Sequence, residues 1–216
     1  MPAGGATCGR SVKPGTKGDI DMPHRLRSRK TALLVALALA AAILTAPLYA
    51  SGDGGSAARK QVKVQLVDAS GADAGVVKLT TQGSAVIVRA QAEGLTPGFH
   101  GFHVHSVGEC VPPFTSAGGH YNPTGSGHGS HAGDMPSLLV LDDGTAQLQF
   151  ATDNFTIAEL FDADGTAIVV HALPDNFANI PTRYQSTTEG TFGPDSATLA
   201  TGDAGGRVAC GVVAAG

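Results

Sequence analysis

Eight short runs of alternating or β-branched residues, separated by turn residues, limit what this chain can fold into. They span 62–67, 75–80, 84–91, 101–105, 137–141, 145–151, 167–171 and 207–213. Period-two alternation sends every second side chain to one face, which is the signature of half-buried strands. Gln82-Gly83 and Asp142-Asp143-Gly144 mark turns between them. The pattern predicts an all-β fold, an eight-stranded antiparallel Greek-key β-sandwich or flattened barrel, because no helices alternate with the strands as a βαβ sheet requires. The best helical competitor, 156–161, is barely two turns long. Two stretches break the rhythm, 108–136 and 173–206, and loops of that length in a compact domain are usually functional.

Charge is unevenly divided. Residues 51–216 carry seven Lys and Arg against sixteen Asp and Glu, a net charge of -9, whereas residues 1–50 hold the other seven bases and two acids. So acidic a domain repels nucleic-acid phosphates, and no nucleic-acid partner is expected. The basic run 24–30 precedes an apolar segment, 32–46, interrupted by Thr45, with Pro47 and the small Ala50 following. That is the layout of a secretory signal peptide, and 32–50 also approaches the length of a membrane anchor. Expected organisation is therefore an extension over 1–21 with Met22 as the true start, a signal peptide or N-terminal anchor over 22–50, a flexible Gly/Ser/Ala-rich lead-in over 51–60, and one domain over 61–216. Export would take the domain to the periplasm, cell envelope or exterior. Cys110 and Cys210 are then the two cysteines of the mature chain, and an even pair in an oxidising compartment reads as one disulfide.

Seven of the eight histidines fall between positions 100 and 171. His103 and His105 lie two apart in a strand signal, so alternation aims both imidazoles at one face and makes half a metal site. His171 ends another strand signal and can add a third nitrogen. Imidazole-rich tetragonal sites suit copper. His120, His128, His131 and Asp134 follow one another in a Gly-rich loop, and three imidazoles with one carboxylate form a closed zinc shell. His100 is odd in register with the pair and is expected to make structural hydrogen bonds.

Five motifs, in order, resemble the Cu/Zn superoxide dismutases: Gly98-Phe-His-Gly-Phe-His-Val-His105 with Gly108 and Cys110; Gly118-Gly-His-Tyr-Asn-Pro123; His131-Ala-Gly-Asp134; Val169-Val-His171; and Gly202-Asp-Ala-Gly-Gly-Arg-Val-Ala-Cys-Gly211. The resemblance covers about 62–213, and Asp175-Asn-Phe-Ala-Asn-Ile-Pro181 is similar to the exported actinobacterial branch. It implies a copper- and zinc-dependent enzyme that dismutes superoxide to oxygen and hydrogen peroxide by copper redox cycling. Copper would be held by His103, His105, His120 and His171, and zinc by His120, His128, His131 and Asp134, with His120 shared and carrying a proton. Asp175 would hydrogen-bond one ligand histidine of each metal, Arg207 would attract the anion, and Thr201 would narrow the channel opposite it. Cys110–Cys210 matches the family disulfide.

One departure stands out. The second and third zinc histidines are usually farther apart, whereas only Gly129 and Ser130 separate His128 from His131. A sharp fold of the Gly-rich backbone closes the site; otherwise copper alone is held. The main rival is a non-catalytic exported copper-binding or carrier protein on the same fold, which has no use for Arg207, Thr201 and Asp175. A zinc hydrolase would need an open coordination position that a four-ligand shell lacks. Homodimerisation and a membrane tether through 32–50 are compatible with the sequence.

Overall fold

The computed structural model describes residues 61–214. The expectations for 1–60, namely the extension, the leader and the lead-in, lie outside the described residues. Among the described residues, no helix is long and apolar enough to cross a membrane.

Nine strands form: β1 Gln61–Asp68, β2 Asp73–Gln82, β3 Ala85–Ala92, β4 Gly98–His100, β5 Phe102–His105, β6 Leu138–Val140, β7 Ala146–Thr152, β8 Thr166–His171 and β9 Arg207–Val213. All pairings are antiparallel, in the order β4-β6-β7-β3-β2-β1-β9-β8-β5. Because the two end strands are consecutive in the chain, the sheet curls into a nearly closed, flattened barrel. The connection from β3 to β4 passes β7 and β6, which gives the Greek-key character.

One strand more than expected, β4, forms just ahead of the expected run 101–105, whose own strand begins at Phe102, and Gly101 separates the two. Gly101 N–H donates to Leu173 O at 2.9 Å, and Gly101 O accepts from His171 N–H at 2.8 Å. The chain thus leaves β6 and joins β8 at that residue, a switch fixed by tertiary partners. A six-residue helix, α1 Ser196–Thr201, was also not expected inside the second long loop. Its local signal is Asp195, whose side chain accepts from Thr198 N–H as an N-cap.

The alternation does what it predicts. In β1, Val62, Val64 and Leu66 are buried while Gln61, Lys63 and Gln65 are exposed, and each fully buried aliphatic contributes about 1.5–3 kcal/mol. β8 is buried on both faces. Ile168 and Val170 face the main core, and Ala167 and Val169 pack with Phe114, Ala117 and Cys210 in a second cluster. The loop 106–119 therefore lies against the outside of β8 and β9. That packing carries Phe114 and Gly118 to the end of β8, where His171 begins the site.

Candidate metal centre

Strand register places the first imidazoles. His103 and His105 sit in β5 opposite Val169 and Ala167 of β8, and His171 ends β8 opposite Arg207 of β9. His120 joins through an isolated bridge to His105, and Asp134 through one to His103. All six histidines of the two expected ligand sets are buried.

Hydrogen bonds then settle which nitrogen of each ring keeps a lone pair. His103 Nε2 lies 2.6 Å from Asp175 Oδ2, and His128 Nε2 lies 2.8 Å from Asp175 Oδ1. A carboxylate only accepts, so both Nε2 atoms carry a proton, and Nδ1 is the lone-pair nitrogen of each ring in its neutral form. His105 Nδ1 and His171 Nδ1 donate to Gly118 O and Gly205 O at 3.0 and 3.2 Å, which leaves their Nε2 atoms facing each other at 3.2 Å. Two lone pairs aimed at one another repel unless a cation shares them. His103 Nδ1, His120 Nε2 and His128 Nδ1 are buried with no hydrogen-bond partner, and a native structure rarely tolerates such atoms without a ligand.

Two donor groups result: His103, His105, His120 and His171; and His120, His128, His131 and Asp134. In each, one ligand atom per residue lies within 4.8 Å of the others. His120 belongs to both. Its Nδ1 is 3.0 Å from Asp134 Oδ1 and 3.4 Å from His131 Nδ1, while its Nε2 is the unpartnered atom. Orphaned nitrogens converging on two points fit two metal ions bridged by one imidazole.

The short segment His128-Gly-Ser-His131 does close. Gly129 adopts φ 86°, and a Cβ there would run into Phe177 O. Gly129 N–H and His131 N–H both donate to Asp134 Oδ2, at 2.7 and 3.0 Å, which frees Oδ1 for the cluster. Gly202 is the second glycine the site cannot replace. At φ 60°, its absent side chain leaves room for Asp175 Oδ1 and His128 Nε2.

Electrostatics divide the groups. Burial holds His103 down at about 4 and His171 at about 3, despite the Asp175 hydrogen bond to the former. His105 and His131 are also lowered by burial. Burial opposes the charge of His128 as well, but the Asp134 carboxylate, whose Oδ1 lies 3.2 Å from Nδ1, and the hydrogen bond to Asp175 outweigh it and hold the ring up at about 9. Burial likewise disfavours the two carboxylates, yet their histidine partners keep both well below the usual range. A metal ligand must give up its proton. Zinc uptake near pH 7.5 is therefore expected to release about one proton, from His128, and none near pH 10. Titration calorimetry in buffers of different ionisation enthalpy reads this directly; proton-free uptake at pH 7.5 contradicts the assignment.

Arg207 is half-buried, and its guanidinium donates to Phe114 O and Gly118 O. The second of these carbonyls also accepts from His105, so the cation is tied to the first donor group through one oxygen. Thr201 ends α1, exposed, with its hydroxyl donating to Ala197 O at 2.8 Å. It directly precedes Gly202, the glycine packed against Asp175 and His128. His100 is buried, with Nδ1 2.6 Å from His171 O and Nε2 2.8 Å from Thr96 O, the structural role expected of it. The Cys110–Cys210 disulfide forms, with Cα atoms 5.7 Å apart. Sequence reasoning missed the carbonyls of Phe114, Gly118 and Gly205, and also Phe177, whose ring stacks near His128 at 6.4 Å.

The family model for copper/zinc superoxide dismutase (SODC) matches residues 73–213. The chain belongs to the copper/zinc superoxide dismutase family. It is 47% identical over 145 residues to the "Superoxide dismutase [Cu-Zn]" of Mycolicibacterium paratuberculosis, covering 62% of this chain and 64% of that one. The chain therefore spans somewhat less than two thirds of that relative's length. Among solved structures, the Cu/Zn superoxide dismutase from Brucella abortus superposes with a TM-score of 0.55 at 27% identity, covering 72% of this chain and all of that one. A double mutant of a SOD-like protein from Bacillus subtilis gives 0.59 at 28%, covering 71% and 97%. Membership implies copper and zinc as cofactors, and the two donor groups fit them: an imidazole-only set for copper, and a set with a carboxylate for zinc.

Proposed function

We propose that the protein is an exported superoxide dismutase, with copper at His103, His105, His120 and His171 and zinc at His120, His128, His131 and Asp134. The observation that supports this reading is the convergence of unpartnered buried nitrogens on two points that share His120. Bound copper supplies a one-electron couple, through which two superoxide ions and two protons become oxygen and hydrogen peroxide, and zinc supplies a fixed positive charge. The chain contributes the rest. Asp175 orients His103 and His128 and fixes their tautomers. His120 can hold a proton at Nε2 while Nδ1 stays turned toward Asp134. Arg207, fixed by two carbonyls, draws and orients the anion, and Thr201 limits the opening beside it.

Steering rests heavily on Arg207, because residues 61–214 hold five Lys and Arg against fifteen Asp and Glu. Arg207→Ala is expected to lower kcat/KM at least about tenfold and to flatten its dependence on ionic strength. Pulse radiolysis over a salt series measures both. An unchanged rate and salt profile would remove Arg207 from the mechanism. A copper carrier has no need of this cation, so the same experiment separates the two readings.

Within the same proposal, the leader takes the domain out of the cytoplasm, either cleaved or kept as a tether through 32–50, and two copies pair. Outward-facing Phe99, Leu139 and Leu141, on or beside the paired strands β4 and β6, support that pairing.

A further inference from the structure

Beyond the metal centre, the outer face of β1, β2, β3 and β7 has a charge pattern that the rest of the domain does not share. Register sets three rows across it. Lys63, Lys78, Arg89 and Gln149 stand directly opposite one another; Gln65, Val76, Gln91 and Gln147 form the next row; Gln61, Thr80, Ile87 and Ala151 form the third. These twelve positions hold three of the five cations in 61–214, five glutamines and no acid, although acids outnumber bases threefold in that stretch.

The arrangement works against the sheet. Like charges directly opposite one another across strands are destabilising. None of them forms an ion pair, since the ion pairs among the described residues all belong to the metal centre; the nearest acid to the strip, Asp73, accepts from Gln65 Nε2 instead, at 2.6 Å. All three cations are exposed. Arg89 Nε–H donates to Gln149 Oε1 at 2.7 Å, which ties the guanidinium to the row. A shallow groove of about 310 Å³ runs here, lined by Lys78, Arg89, Gln91, Gln147 and Gln149. A neighbouring hollow of about 420 Å³ continues past Lys63 and Gln65 and ends at Asp73 and Glu93, and those two acids bound the strip.

We propose that this face docks an acidic polysaccharide. The three cations are set about 4.8 Å apart by the strand spacing, a step comparable with one sugar ring, so carboxylates on successive units can meet successive cations. Glutamine amides both donate and accept, and they suit the hydroxyls between the acids. The overall negative charge does not prevent this, because ionic screening within about 8 Å isolates the strip from the acids elsewhere.

The test uses the full chain with polygalacturonate as probe, and with neutral dextran and inorganic polyphosphate as comparisons, at physiological salt. Binding to polygalacturonate and not to dextran is expected. The triple variant Lys63→Gln, Lys78→Gln, Arg89→Gln is expected to lose about a hundredfold in affinity, roughly fivefold for each charge, with metal content unchanged. Arg183→Gln, outside the strip, is expected to bind as the parent does. If the triple variant fails to fold, Lys78→Gln alone should weaken binding about fivefold. The proposal is overturned by no binding to polygalacturonate, by binding to polyphosphate in its place, by affinity that survives loss of the row, or by an equal loss in Arg183→Gln.

Discussion

Replacing Asp175 by Asn is expected to weaken the binding of both metals together, by about 10- to 100-fold each. The two carboxylate oxygens serve two different donor groups, through His103 Nε2 and His128 Nε2. An amide of the same size keeps one oxygen and turns an N–H toward the other ring. That ring must then move its proton from Nε2 to Nδ1, and Nδ1 is the atom that points into the cluster, where it would hold a proton instead of a lone pair. Competition against a chelator, run separately for copper and zinc, measures the loss. Undiminished affinity for both would show that Asp175 does not set the tautomers.

Removing the disulfide has the next largest expected effect. Cys110–Cys210 closes a loop of 100 residues, for which chain entropy gives about 4.7 kcal/mol. For a domain of this size that corresponds to a fall in Tm of roughly 10–20 °C. Function should fall with stability, because the bridge fastens the loop carrying Phe114 and Gly118 to β9, three residues from Arg207. Cys110→Ser with Cys210→Ser, melted beside the parent with metals loaded, checks the prediction. A shift of only a few degrees would mean that the second core cluster holds the loop without the bridge.

Much of this was legible in the sequence, for local reasons. Period-two spacing in His103-Val-His105 fixes a shared face whatever the rest of the chain does, and the buried/exposed alternation of β1 follows from the same rule. The loop cluster from His120 to Asp134 was legible as a donor set because ligand residue types there have no packing reason to gather. What escaped depended on distant partners. The break at Gly101 exists because Leu173 and His171 bond to it from 70 or more residues away. Closure of the His128-Gly-Ser-His131 segment rests on a positive φ at Gly129 and on two backbone bonds to Asp134. The choice of nitrogen in His105 and His171 rests on carbonyls of Gly118 and Gly205, which any residue could have supplied. α1 hides in a long loop with one N-cap aspartate as its signal.

The central claim is that this chain holds a bridged copper and zinc pair and uses it on superoxide. Copper and zinc per chain, determined on the purified protein with dismutase activity assayed on the same sample, test it most directly. About one copper and one zinc per chain with activity is the predicted result, since the two donor groups share a single imidazole. Copper bound without activity would contradict the enzyme reading in favour of a carrier, and activity with copper but no zinc would contradict the closure of the second group.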